Sequence, residues 1–96
     1  MEIRSQPAGR RLPVFPGFKE MAARRHELVS LLEGRRVVLG LTQTEVAARM
    51  GTSQSAVARL ESGDADVRLS TLERYAAAIG HELSWQLTPV PQEGRQ

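Results

Sequence analysis

Apolar positions recur at steps of three and four from about residue 18 to residue 80, then at steps of two, and this change of period divides the chain. In the first regime Leu28, Leu31, Leu32, Arg35 and Leu39 mark a helix that begins near Phe18. Gly34 interrupts it at a cost of about 1 kcal/mol relative to Ala, so a kink or break there is expected. Glycines then fall at 40, 51, 63 and 80, each after an apolar-periodic segment, where a left-handed C-terminal cap is wanted. Thr42-Gln43-Thr44-Glu45 and Ser70-Thr71-Leu72-Glu73 both fit the capping box, in which a hydroxyl accepts from an orphan N–H and the Glu reaches back. Thr52 or Ser53 can cap a helix between them. The spacing predicts short helices over about 42–50, 53–62 and 70–79.

In HELSWQLTP, Leu83, Trp85 and Leu87 fall on one side and Glu82, Ser84, Gln86 and Thr88 on the other, the alternation of a half-buried strand. Pro89 and Pro91 end it. No second strand is visible in the sequence, and a lone strand cannot satisfy its backbone donors and acceptors. Antiparallel pairing with the same strand of a second chain across a twofold axis is the economical solution. The alternative is a C-terminal extension packed along its own helices. At the other end, Pro7, Pro13 and Pro16 with Gly9 and Gly17 leave no room for a helix. The expected division is an irregular Pro/Arg-rich arm over 1–17, a helical domain over 18–80, a dimerising strand over 81–90 and a disordered tail over 91–96. Val14, Phe15 and Phe18 form an apolar island that docks either on the arm's own domain or on a partner.

With 96 residues and no cysteine, the chain is about one domain, near the lower end of what folds without staples. Its core must come from aliphatic side chains, because Phe15, Phe18, Tyr75 and Trp85 are the only aromatic residues. A core this modest is often shared with a second copy. The net charge of +2 is uneven: residues 1–36 hold eight Arg/Lys against four Glu, and residues 37–96 hold five Arg against seven Asp/Glu. That asymmetry fits a polyanion, an acidic protein partner, or a solvated tail that binds nothing. No apolar run approaches the roughly 20 residues needed to span a bilayer, and MEIRSQPAGRRLPVFPG lacks the apolar stretch of a secretory signal, so the expected location is the cytoplasm. There is no thiol, His26 and His81 lie far apart in the sequence, and no carboxylates form an acid–base pair. No catalytic residue, metal site or cofactor is expected.

The central helices have separable faces. Val46, Ala47 and Met50 share one face of the first, and Ala56, Val57 and Leu60 one face of the second, with small Ala47 where the two would cross. Gly51 can take the positive φ that the sharp turn demands. Gln54, Ser55, Ala58 and Arg59 are left as an outward patch. Arg suits guanine O6 and N7, Gln suits adenine N6 and N7, and Ser or Ala suits a thymine methyl. The same residues also make an ordinary solvated face.

From Leu41 to Gly63 the run LTQTEVAARMGTSQSAVARLESG resembles the helix-turn-helix of the phage-repressor and Cro (Xre-type) family, in helix lengths, Ala47, Gly51, Val57, the TQ opening and the RLESG closing. The resemblance covers about residues 25–80. It implies an all-α, lambda-repressor-like bundle of four to five short helices, here with a C-terminal β-strand added, whose helix from Ser53 to Ser62 enters the major groove of double-stranded DNA. It implies that Ser53, Gln54, Ser55 and Arg59 face bases and that Thr42 and Gln43, at the positive end of a helix dipole, meet phosphate. It further implies a partly buried ion pair between Arg36 and Glu61, for which the alternatives are a free phosphate contact and a solvated helix end. The loop GDADVR departs from the family, being acidic at Asp64 and Asp66, and leaves Arg68 as its one basic phosphate candidate. STLERYAAAIGHELSWQL resembles the antitoxin (HigA/HipB-type) branch of toxin-antitoxin systems. In that branch Leu72, Tyr75, Ala76 and Ile79 form a buried stripe, and Leu83, Trp85 and Leu87 belong to a dimerising strand. This second resemblance implies a homodimer that represses its own operon at a palindromic operator and neutralises a toxin encoded beside it. The alternative is a free-standing Xre-type regulator with no toxin partner.

Overall fold

A computed structural model describes residues 18–63 and 66–89 of the chain. Four helices follow one another, α1 (Phe18–Val38), α2 (Gln43–Met50), α3 (Gln54–Ser62) and α4 (Leu69–Ala78). The arm, Asp64 and the tail expected over 91–96 lie outside the described residues.

The helix α1 is long, at 21 residues, and runs through Gly34 without the expected break. A Cβ at Gly34 would meet nothing within 4 Å, so glycine costs the helix its propensity and nothing more. The buried stripe of α1 also differs from the one its leucines suggest. Val29 and Leu32 are buried, Arg25, Leu28 and Arg36 are half-buried, and Leu31 is 66% exposed. Leu31 is two residues from Val29, and two steps of about 100° carry it to the far side of the helix. Leu39 lies beyond the helix and is exposed as well.

Local chemistry sets the ends of α2 and α3. Thr42 Oγ1 accepts from the Glu45 amide at 3.0 Å while Glu45 Oε1 accepts from the Thr42 amide at 2.7 Å, which closes the capping box. Those backbone and side-chain bonds to Thr42 hold the Glu45 carboxyl below the usual carboxylate range. Gly51, at φ 75°, ends α2, and the amide of Thr52 returns to the Ala47 carbonyl at 2.9 Å. Ser53 then caps α3 by accepting from the Ala56 amide at 3.1 Å. Gly63 ends α3 at φ 76°, and there a Cβ would lie 2.7 Å from His26 Nε2 on α1.

The second expected capping box does not form. The helix α4 starts at Leu69, its N-cap is Arg68, and no side chain caps it. Ser70 and Thr71 already lie inside the first turn, whereas a capping hydroxyl needs the extended backbone of an N-cap position. At its other end α4 is tied to α2, because an Arg49 terminal guanidinium N–H donates to the Ala78 carbonyl at 2.8 Å. A cation there also meets the negative end of the helix dipole.

One core joins the four helices, built from Val29 and Leu32 of α1, Val46, Ala47 and Met50 of α2, Val57 and Leu60 of α3, and Leu72, Tyr75, Ala76 and Ala78 of α4, with Ile79 following. Tyr75, Val29, Val46 and Val57 are its largest fully enclosed side chains. Beyond Gly80 the structure departs from the expected strand, since residues 81–89 form neither helix nor strand. Leu83 packs back on the core, while Trp85 is 57% exposed and Leu87 wholly exposed. The reason is the one that makes a lone strand unstable: among the described residues no second extended segment offers it a ladder.

Candidate nucleic-acid interface

The helix α3 crosses the domain with Val57 and Leu60 buried, Ala58 and Glu61 half-buried, and Gln54, Ser55, Ala56 and Arg59 exposed. Ala56 was expected in the core and Ala58 outside, and the structure reverses them. At about 100° per residue the two flank the Val57–Leu60 stripe on opposite sides, and the side that packs inward is the one Ala58 shares with Glu61. The outward face is therefore Ser55 and Arg59, one turn apart, with Gln54 at its edge. Arg59 makes no ion pair or side-chain hydrogen bond among the described residues, so its guanidinium is available to a ligand.

Gln54 is held in place. Its Nε2 donates to Gln43 Oε1 at 2.6 Å, and Gln43 Nε2 in turn donates to Glu61 Oε1 at 2.8 Å. Glu61 is the hub of this chain of bonds. Arg36 Nε donates to its Oε2 at 2.7 Å, an Arg36 terminal nitrogen donates to its Oε1 at 3.1 Å, and the Tyr75 hydroxyl donates to Oε2. The Arg36 fork is thus bidentate, and its remaining terminal nitrogen donates to the Leu41 carbonyl at 2.8 Å. The carboxylate side chain is only 3% exposed and that of Arg36 11%.

Burial alone would push the Glu61 carboxyl up, but the bonds from Arg36, Tyr75 and Gln43 outweigh it and leave it below the usual carboxylate range. Arg36 is raised by the hydrogen bond and charge of Glu61 against the opposing effect of burial. Burial raises Tyr75 first, and the adjacent carboxylate raises it further. All three groups therefore hold their ordinary charge states at neutral pH, with one negative and one positive charge neutralising each other beneath α3.

The other expected contacts are placed as follows. Ser53 is exposed, but its hydroxyl is engaged by the Ala56 amide and lies 3.2 Å from the Ser55 hydroxyl, so Ser53 serves as a cap before it serves anything else. Thr42 likewise uses its hydroxyl as a cap, which leaves the first N–H groups of α2 as donors to an outside anion. Gln43 is half-buried, with its side chain donating to Glu61 and accepting from Gln54. Arg68 and Asp66 are both exposed near the start of α4. Arg36, Val37, Leu41, Thr42, Gln43, Thr44 and Gln54 line a shallow hollow between the N-terminal ends of α2 and α3. Leu83, Trp85 and Leu87 are on a separate segment and are not part of this surface.

Residues 33–86 match the family model described as helix-turn-helix, which is more than half of the chain. The chain belongs to the helix-turn-helix family. In the terms of that family, α2 and α3 are the two helices of the motif and Gly51 lies in its turn. Over 71 residues the chain is 42% identical to proteins named Antitoxin HigA1 from two strains of Mycobacterium tuberculosis, CDC 1551 / Oshkosh and ATCC 25618 / H37Rv. That match covers 74% of this chain and 48% of each relative. A protein named Putative antitoxin HigA3, from Mycobacterium tuberculosis strain ATCC 25618 / H37Rv, is 46% identical over 54 residues, covering 55% of this chain and 50% of its own. The chain thus spans about half the length of the curated relatives it matches. Among the described residues no helix is long and apolar enough to cross a membrane.

Sequence reasoning missed two parts of the site. Tyr75 is legible as a core residue of α4, and the signal for its second role is that a buried tyrosine usually finds a partner for its O–H. The pairing of Gln43 with Gln54 is likewise hidden in the sequence, because the two lie eleven positions apart.

Proposed function

We propose that this chain is a sequence-specific DNA-binding repressor that acts as a homodimer on a palindromic operator and serves as the antitoxin of a toxin-antitoxin operon, controlling its own promoter and neutralising a toxin encoded beside it. The observation that carries the DNA part is the α3 face, where Ser55 and Arg59, which has no side-chain partner among the described residues, stand exposed beside a Gln54 that Gln43 ties to the buried Arg36–Glu61 pair. In the major groove, Arg59 takes a guanine through O6 and N7, Gln54 takes an adenine through N6 and N7, and Ser53 and Ser55 approach neighbouring base edges. The N-terminal end of α2, with Thr42 and Gln43, receives a backbone phosphate, and Arg68 offers a second contact.

Leu83, Trp85 and Leu87 support the homodimer. Two of the three stand in water in a single chain, and paired antiparallel strands from two copies would cover them and satisfy their backbone. The operator half-sites then lie about one helical turn, roughly 34 Å, apart. The names of the relatives, together with the exposed first half of α1, support the toxin partner. This work takes place on nucleoid DNA in the cytoplasm.

The test is titration of the promoter DNA of its own gene at several salt concentrations. The logarithm of the affinity is expected to fall linearly with the logarithm of salt, with a slope set by the phosphates neutralised. Binding that ignores salt, or that treats the promoter and unrelated DNA alike, refutes the DNA reading. Co-expression with the adjacent open reading frame tests the antitoxin role. A toxic product rescued by this chain supports it, and a harmless one reduces the protein to a free-standing regulator.

A further inference from the structure

The hydrogen-bond chain beneath α3 has a direction, and the direction comes from Glu61. A carboxylate only accepts, so Gln43 must turn its NH2 group toward Glu61 and its carbonyl oxygen toward Gln54. Gln54 must then turn its own NH2 group toward Gln43. What Gln54 has left for a ligand is one N–H and its carbonyl oxygen, a donor beside an acceptor. Neither end of this relay is free to reverse. Tyr75 and Arg36 occupy the other positions on the carboxylate with donors of their own, which fixes the Glu61 side chain from α4 and α1.

We infer that Glu61 is a specificity-determining residue that never touches DNA, because its acceptor-only carboxylate, relayed through Gln43, sets the donor/acceptor polarity with which Gln54 meets a base. A donor beside an acceptor matches adenine, which offers N7 as acceptor and N6 as donor, and mismatches guanine, which offers two acceptors at N7 and O6. Were the two amides reversed, Gln54 would present its NH2 group outward and favour guanine instead. The ionic partner of Glu61 serves the same end, since an ionised carboxylate bonded to Arg36 cannot become a donor. Tyr75 is a positioning residue: it holds the carboxylate in place but does not choose the polarity. This inference rests on the reading of Gln54 as a base contact.

The experiment uses the full chain and a pool of DNA duplexes with a randomised centre, from which bound molecules are sequenced to give the preference at every position. Four proteins are compared: the native chain, Gln54→Ala, Glu61→Gln and Gln43→Met. Glu61→Gln keeps the shape but can donate or accept, so the relay loses its direction. Gln43→Met removes the relay and leaves the Arg36–Glu61–Tyr75 cluster intact, so it tests the idea even if Glu61→Gln folds poorly in a thermal melt. The native chain is expected to favour adenine over guanine by on the order of tenfold or more at one position in each half-site. Gln54→Ala should identify that position by abolishing the preference. Glu61→Gln and Gln43→Met should reduce it to about twofold or less there and not alter the relative guanine preference read by Arg59, even where Gln43→Met lowers affinity for every sequence alike through its phosphate contact. A merely structural role for Glu61 would instead weaken binding to all sequences alike, and that result overturns the inference. An adenine preference that survives in Gln43→Met also overturns it. If Gln54→Ala changes no position, the reading of Gln54 itself is wrong, a failure distinct from the other two.

Discussion

From Thr42 to Gly63 the helix ends find partners within a few residues: Thr42 with Glu45, Thr52 with Ala47, Ser53 with Ala56, and Gly63 with Leu60. From His81 to Pro89 the apolar side chains alternate as regularly, yet Trp85 and Leu87 stand in water and the backbone has no ladder among the described residues. The first region is closed by local geometry, and its buried side chains meet others of the same chain. In the second, Leu83 reaches the core of its own chain and the rest finds no strand partner among the described residues. A regular pattern therefore specifies a structure by itself only where its hydrogen bonds are local; where they are not, alternation alone does not make a strand.

Loss of Glu61 should do the most damage to the closed region, which depends on that one carboxylate. Glu61→Ala leaves Arg36 charged and Tyr75 without an acceptor beneath α3, and is expected to cost about 3 to 5 kcal/mol in urea unfolding, a large part of the stability of a small domain. If the cost is below about 1 kcal/mol, the cluster behaves as an exposed ion pair and does not hold α3.

Two glycines sharpen the contrast between backbone conformation and packing. At Gly51 an added Cβ meets nothing within 4 Å, so Gly51→Ala should cost only the left-handed conformation, about 1 to 2 kcal/mol. At Gly63 the same atom meets the His26 ring at 2.7 Å, so Gly63→Ala should cost more. The double variant Gly63→Ala with His26→Ala should recover the difference, and failure to recover it would place the strain elsewhere.

Acid acts on the same hub with a definite sign. The folded carboxyl of Glu61 lies below its ordinary value of 4.5, so its contribution is complete above that value and is lost as the pH falls through the folded pKa. The melting temperature should therefore hold from pH 8 down to about 5 and fall below about 4, and Glu61→Gln should remove part of that fall. Tyr75 has the opposite sense, because its folded pKa is raised and its contribution is lost only in strong alkali, above about 10.

The open region should respond least in stability and most in association. Replacing both Trp85 and Leu87 with Ser is expected to change monomer stability by no more than about 0.5 kcal/mol, as for other exposed positions. The same change should convert a dimer to a monomer in sedimentation. A dimer that persists would place the twofold contact on another surface, with the exposed residues of α1 as the next candidate.

How much of this was legible in the sequence follows the same division. The extents of α2 and α3 could be read because Thr42, Gly51, Ser53 and Gly63 act within one turn of themselves. Ser70-Thr71-Leu72-Glu73 has the same residue types, yet α4 begins at Leu69, so the pattern lies one residue too far inside. Burial on α1 and α3 was read from residue type, and Leu31 and Ala56 show the limit of that reading. Leu31 lies on the far side of α1, whereas Ala56 borders the buried stripe of α3 on the flank that faces solvent. The Glu61 hub was beyond local patterns altogether, since it gathers residues 25, 18 and 14 positions away. The resemblance to phage repressors suggested the pair with Arg36, but Tyr75 and Gln43 emerged only when the helices were packed.

If α3 reads DNA through its outward face as proposed, Arg59 carries the largest share of that reading. The most direct measurement is the ratio of affinities for the native operator and for random duplex, taken with the native chain and with Arg59→Ala at one fixed salt concentration. The account predicts that the substitution lowers operator affinity by about 1 to 3 kcal/mol and relaxes preference at a single base pair in each half-site, with random-sequence affinity changed far less. An operator-to-random ratio that is unchanged in Arg59→Ala would contradict it.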